Sequence, residues 1–217
     1  MILSPGRRYV FVHIPKTGGT SMALALEARA MADDILIGDT PKAQRRKRRL
    51  EGLTPRGRLW KHSTLADIEG VLPDDVLAGL LPFTLVRNPW DRIVSYYHWL
   101  RAQAFDHPAV RLAQDHGFAE FVAHPHTDQS LSRASYGSYL RGSDGQERRA
   151  LFLRLEHLAT DMAPLSAYLG FTPEVGRTNA SDRRADWRGY YDDATAERVA
   201  RIAAEDIARF GYAFDPD

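Results

Sequence analysis

The stretch Tyr9-Val-Phe-Val-His-Ile-Pro-Lys-Thr-Gly-Gly-Thr-Ser-Met22 constrains this chain more than any other. Its apolar run from Tyr9 to Ile14, rich in β-branched and aromatic residues, predicts a buried strand. Pro15 then removes a backbone donor and restricts the residue before it. Gly18 and Gly19 permit a tight bend and a close approach of backbone to a ligand. The run Met22-Ala-Leu-Ala-Leu-Glu-Ala-Arg-Ala-Met31 predicts a helix, with Thr20 or Ser21 as its cap. Strand, glycine turn and helix N-terminus together aim several N–H groups and a partial positive charge at one spot, which suits a phosphate. Lys16 adds a full charge, and Thr17, Thr20 and Ser21 add hydroxyls, so an anion site outweighs an ordinary turn.

The pattern is not a Walker A loop, which ends in Gly-Lys-Ser/Thr; here the lysine precedes the glycines. Composition then sets broad bounds. A chain of 217 residues suits a single domain over 1–217 with a real core. Its 44% hydrophobic and 26% charged content is that of an ordinary globular protein, and no apolar run approaches the ~18 residues of a membrane span. The N-terminus runs almost directly into the first strand and lacks a signal-peptide core. The absence of cysteine excludes disulfides and thiolate chemistry, and fits a cytoplasmic location. A net charge of +1 gives no global attraction to nucleic acid.

Charge is instead local. Lys42 to Lys61 holds nine basic residues against one acid, Glu51, which reads either as a solvated face or as a landing surface for an anionic substrate. Only Trp60 could stack on a base there, which argues against single-stranded nucleic acid. His62 lies where an extended segment meets a helix predicted over Leu65–Glu69, capped by Ser63 or Thr64. Leu80 to Val86 predicts a second buried strand, starting after Pro82, and it runs into Arg87-Asn-Pro-Trp-Asp-Arg-Ile-Val-Ser-Tyr-Tyr-His-Trp-Leu100. Asn88-Pro89 marks the turn into a helix whose inner face carries Ile93, Tyr97 and Leu100. Arg87 leaves the strand end and Ser95 lies about two helical turns on, so cation and hydroxyl again accompany a strand-to-helix turn. In a parallel sheet both turns would face the ligand-binding edge. His124-Pro-His126 lacks a third ligand at fixed spacing, and no metal site is expected. Short elements follow: a helix at Phe118–Val122, a strand at Leu151–Leu155, a helix at Leu158–Leu169 stopped by Gly170, a polar loop at 179–184, and an amphipathic helix from Asp193 to Arg209.

Taken together, Phe11-Val-His-Ile-Pro-Lys-Thr-Gly-Gly-Thr-Ser21 and Leu85-Val-Arg-Asn-Pro-Trp-Asp-Arg-Ile-Val-Ser-Tyr96 closely resemble the sulfotransferase superfamily, in particular the branch with Golgi-type carbohydrate sulfotransferases and bacterial relatives. The resemblance extends to Arg154-Leu-Glu156, Asn179-Ala-Ser181 and the ending Asp206-Ile-Ala-Arg-Phe-Gly-Tyr212. It implies an α/β fold, a central parallel sheet flanked by helices like that of P-loop nucleotide kinases. It also implies the donor 3′-phosphoadenosine 5′-phosphosulfate (PAPS), released as adenosine 3′,5′-bisphosphate (PAP). Carried over, Lys16, Thr17, Gly18, Gly19, Thr20 and Ser21 would form the 5′-phosphosulfate loop, and Arg87 with Ser95 would bind the 3′-phosphate. Lys16 would neutralise charge on the bridging oxygen, and His62 would be the base that takes the acceptor proton. Glu156 stands second to His62; His13 reads as structural; Arg183 or Arg184 could close over the nucleotide. The expected acceptor is a hydroxyl on a carbohydrate or glycolipid, an anionic glycan included, with no metal required. Two other classes remain open: a P-loop nucleotide kinase, opposed by the misplaced lysine, and a non-catalytic nucleotide-binding module.

Overall fold

A computed structural model describes residues 1–176, 183–184 and 186–215. In chain order its elements are β1 (Ile2–Ser4), β2 (Tyr9–Val12), α1 (Gly19–Ala28), β3 (Ile35–Leu36), α2 (Pro41–Arg45), α3 (Asp74–Ala78), β4 (Leu81–Val86) and α4 (Pro89–Arg101). There follow α5 (Pro108–Asp115), α6 (Phe118–Ala123), α7 (Pro125–Ser132), β5 (Leu151–Arg154), α8 (Leu158–Leu169), α9 (Asp193–Ile202) and α10 (Ala204–Phe210). These elements form two compact units: Met1–Val86 with Tyr136–Asn179, and Arg87–Ser135 with Ala180–Asp217.

The first unit holds a five-stranded sheet in the order β3-β1-β2-β4-β5. Its β2, β4 and β5 run parallel, as expected, so the C-terminal ends at Val12, Val86 and Arg154 share one edge. This parallel centre is extended on one side by an antiparallel edge. β1 pairs antiparallel with both β2 and β3, making the sheet mixed. With three and two residues, those strands are too short to carry a readable period.

Alternation along β2 sorts its side chains. Tyr9 and Phe11 pack with Phe83, Leu85 and Leu153 against Met22 and Leu26 of α1 and Leu165 of α8. Val10 and Val12 point to the other face, against Ile37, Leu65, Ile68, Val71 and Leu140. On that face the helix predicted over 65–69 is replaced by turns. The amides of Leu65 and Ala66 bond the carbonyls of Tyr139 and Arg141, and the Thr64 hydroxyl and Asp67 carboxylate close a local loop, so helical bonding loses to tertiary pairing. β4 begins at Leu81, one residue before Pro82 rather than after it, and the Leu81 amide bonds the Arg8 carbonyl at 2.8 Å.

The second unit is helical. α4 buries Ile93, Tyr97 and Leu100 on the predicted face, packed with Trp90, Phe118, Phe121, Val110 and Val199. Three of its helices start on the same device: Asn88, His107 and His124 each precede a proline and accept, through a side chain, the amide of the residue after it. The Nδ1 of His124, one of the two histidines of the considered metal pair, thus caps α7. The last predicted helix is divided at Ala203 into α9 and α10.

Candidate active site

The loop after β2 is shaped by two left-handed residues, Lys16 (φ 66°) and Gly18 (φ 86°). For lysine this conformation costs about 1–2 kcal/mol, so the surroundings hold it there. One restraint is visible. Thr17 is fully buried and its hydroxyl donates to the Ile14 carbonyl at 2.9 Å, closing the loop on itself. The Thr17 side chain therefore shapes the loop, while Thr20 and Ser21 sit inside the first turn of α1. Neither of those two is the cap: α1 begins at Gly19 behind Gly18, whose carbonyl accepts the amides of Ser21 and Met22. Helix start and left-handed turn leave the first amides of α1 directed out of the helix end, the arrangement that binds anions.

Gly19 is required for a second reason. A Cβ there would lie 2.0 Å from Cδ2 and 2.5 Å from Nε2 of His13. The His13 ring packs against the helix start, stacked on Phe11 at 5.9 Å and met edge-on by His62 at 4.6 Å. Burial pushes the His13 pKa well below the ordinary value, so the ring is neutral.

His62 is brought to this loop from 49 residues away. Its Nδ1 lies 2.7 Å from the His13 carbonyl oxygen. A carbonyl only accepts, so Nδ1 carries the proton and Nε2 carries the lone pair. Burial lowers the His62 pKa to about 4, keeping the imidazole neutral at physiological pH. Trp60 meets the ring edge-on at 5.0 Å, and is itself 43% exposed, with the Arg58 guanidinium over its face.

A crevice beside the loop is lined by His13, Thr20, Glu27, Asp39, Thr40 and Lys61. Glu27 was not legible as special in the apolar run of α1. It is buried, the Thr40 hydroxyl lies 2.7 and 2.8 Å from its two oxygens, and burial raises its pKa. The basic run is partly structural. Lys42 donates to the Glu27 carbonyl, Arg46 to that of Met31 and Arg49 to that of Ala32, so three of its cations finish α1 and the turn beyond it. Lys61 pairs with Asp39 at 2.6 Å, and Glu156 is exposed on the turn after β5.

In the second unit, Arg87 grips Asp91 with Nε and Nη2 at 2.8 and 2.6 Å, and Ser95 is buried further along α4. Arg183 reaches the other oxygen of Asp91, whereas Arg184 is exposed. Of the loop at 179–184, residues 179–182 lie outside the described residues.

No curated protein matches this chain in sequence. Among solved structures, mouse sulfotransferase SULT7A1 complexed with PAP is similar, with a TM-score of 0.48 and 14% sequence identity over 96% of this chain and 87% of that one. The profile described as "Sulfotransferase family" matches residues 1–213, which takes in both units and both strand-to-helix turns. By that match, the chain belongs to the sulfotransferase family.

Proposed function

We propose that this sulfotransferase moves the sulfuryl group of PAPS to an acceptor hydroxyl, with Lys16 to Ser21 holding the 5′-phosphosulfate and Arg87 with Ser95 the 3′-phosphate. The observation that carries the reading is the contact chain His62–His13–Gly19, which sets a neutral imidazole of defined tautomer beside the helix-start anion loop. The donor supplies a sulfur already bonded to a good leaving group. His62 Nε2 takes the acceptor proton as the new S–O bond forms and the bond from sulfur to the bridging oxygen breaks. Lys16 neutralises the charge gathering on that bridging oxygen, and the loop amides orient the group for in-line attack.

For the acceptor we propose a sugar hydroxyl on a glycan or glycolipid. The exposed indole of Trp60 beside His62 offers a flat apolar face, and Arg58 offers a charge for an anionic substituent. A cytoplasmic site of action is part of the same proposal; among the described residues no helix is long and apolar enough to cross a membrane.

Titration calorimetry with adenosine 3′,5′-bisphosphate tests the donor. Lys16→Ala and Arg87→Ala are each expected to weaken binding about ten- to a hundredfold, as for loss of one charge-assisted contact. Tight binding of ATP with magnesium and none of the bisphosphate would overturn the reading. Acceptor pools incubated with labelled donor identify the acceptor by product mass.

The pH dependence follows from burial. Since His62 protonates only near pH 4, the acid limb of kcat/KM is expected there and not near 6.5. Both histidines are neutral when folded and bind protons more readily when unfolded. The folded state therefore loses stability as pH falls from about 6.5 towards 4, which thermal melting across that range would register. A kcat/KM limb at 6.5 would place the proton acceptor elsewhere.

A further inference from the structure

We infer that Arg45, Lys47 and Arg48, with Met31 fastened beside them, form a docking face for an anionic membrane surface; the inference is independent of the donor and acceptor readings above. The structure divides the basic run into two sets. Lys42, Arg46 and Arg49 turn onto backbone carbonyls. Arg45, at the end of α2, and Lys47 and Arg48, in the 3₁₀ turn Lys47–Leu50, are exposed. Among the described residues their side chains have no hydrogen-bond or ion-pair partner. A carbonyl cancels no charge, so from Lys42 to Glu51 six cations stand against one acid. The neighbouring turn adds the exposed Asp33.

Other exposed cations are treated differently. Arg111, Arg148 and Arg201 pair with Asp106, Asp144 and Glu197. Like charges crowded on one short segment repel, and a fold that leaves them uncompensated favours a counter-charge from outside. An anionic bilayer supplies one without demanding a fixed geometry from each side chain, and each lysine or arginine held at its surface strengthens binding about fivefold. The apolar component is Met31, which is 36% exposed. Arg46 donates to its carbonyl at 2.8 Å and Arg49 to that of Ala32, so this turn is fastened to the basic segment. An apolar side chain at the edge of a polybasic segment suits the boundary between headgroups and acyl chains. Single-stranded nucleic acid, the other extended polyanion, is held by aromatic stacking, and no aromatic residue occurs from Pro41 to Leu53. Among the described residues no helix is long and apolar enough to cross a membrane, so the contact is peripheral and reversible.

The test is co-sedimentation of the full chain with vesicles of phosphatidylcholine alone and of phosphatidylcholine with phosphatidylglycerol in a ratio of about three to one. The protein is expected to bind the mixed vesicles only, and to be released as salt rises from about 0.1 M to about 1 M, where the screening length falls from ~10 Å to ~3 Å. The triple variant Arg45→Ala, Lys47→Ala, Arg48→Ala is expected to bind mixed vesicles about a hundredfold more weakly. It should still bind adenosine 3′,5′-bisphosphate like wild type, since these side chains have no partner in the fold. Removing the same charge elsewhere, by Arg111→Ala, Arg148→Ala and Arg201→Ala together, should leave vesicle binding within about threefold of wild type, because the effect is local. Met31→Ser should weaken it about three- to tenfold. Equal binding by wild type and the Arg45 triple variant, or an equal loss in both triple variants, would overturn the inference. So would binding to duplex DNA or heparin that is tighter than to mixed vesicles and lost in the Arg45 triple variant, since the face would then serve another polyanion.

Discussion

His62→Ala is expected to lower turnover by about 10²–10⁴-fold, the range for loss of a positioned general base, while the bisphosphate binds within about twofold of wild type. The separation follows from where His62 sits. It bonds the His13 carbonyl oxygen at 2.7 Å and meets that ring edge-on, and the proposal assigns donor binding to Lys16–Ser21, Arg87 and Ser95 instead. Because the deleted group is a small imidazole in a largely buried place, added imidazole should restore part of the turnover in the variant. Turnover within about threefold of wild type would remove His62 from the mechanism, and Glu156, exposed after β5, would be the next residue to test.

Gly19→Ala is expected to lower stability by about 1–3 kcal/mol, the usual cost of overpacking, and to lower turnover by more than tenfold. The added methyl would lie 2.0 Å from His13 Cδ2. His13 cannot step aside cheaply, since it is buried between Phe11 and His62. Any shift that admits the methyl therefore displaces the proposed base or the first turn of α1. The clash names its own rescue. In a double-mutant cycle, His13→Ala should remove most of the penalty of Gly19→Ala, giving a coupling of about 1–2 kcal/mol between the two sites. Additive effects, or a Gly19→Ala protein that melts and turns over like wild type, would show that the ring and the helix start are not in contact.

Several elements were legible because their physics is local. The run from Tyr9 to Ile14 is too apolar and β-branched to be anything but a buried strand, and Ile93, Tyr97 and Leu100 mark the inner face of α4 by spacing alone. Elsewhere local preference was overruled. The 65–69 segment has helical composition, yet its amides are claimed by Tyr139 and Arg141, partners more than 70 residues away. The start of α1 moved back to Gly19 because the left-handed Gly18 serves as the cap that Thr20 or Ser21 was expected to provide. The partner of the Thr17 hydroxyl was not legible either: it donates to the Ile14 carbonyl at 2.9 Å. Within the basic run, charge density pointed outward, whereas Lys42 turns to the Glu27 carbonyl in the last turn of α1 and Arg46 and Arg49 to carbonyls of Met31 and Ala32 in the turn beyond it.

By itself, the sequence determined the strand–glycine turn–helix unit, the second turn at Arg87 to Ser95, and through the two together the family. These are patterns of neighbouring residues, and neighbours set backbone shape. Only the tertiary structure decided that His62 reaches His13, that the His13 ring is what forbids a side chain at position 19, and that Asp91 joins Arg87 to Arg183 rather than to Arg184. The first and the last join residues distant in the chain, whose meeting is set by the packing of whole elements; His13 and Gly19 are near neighbours in sequence, but the direction of the ring between Phe11 and His62 leaves no mark in local spacing.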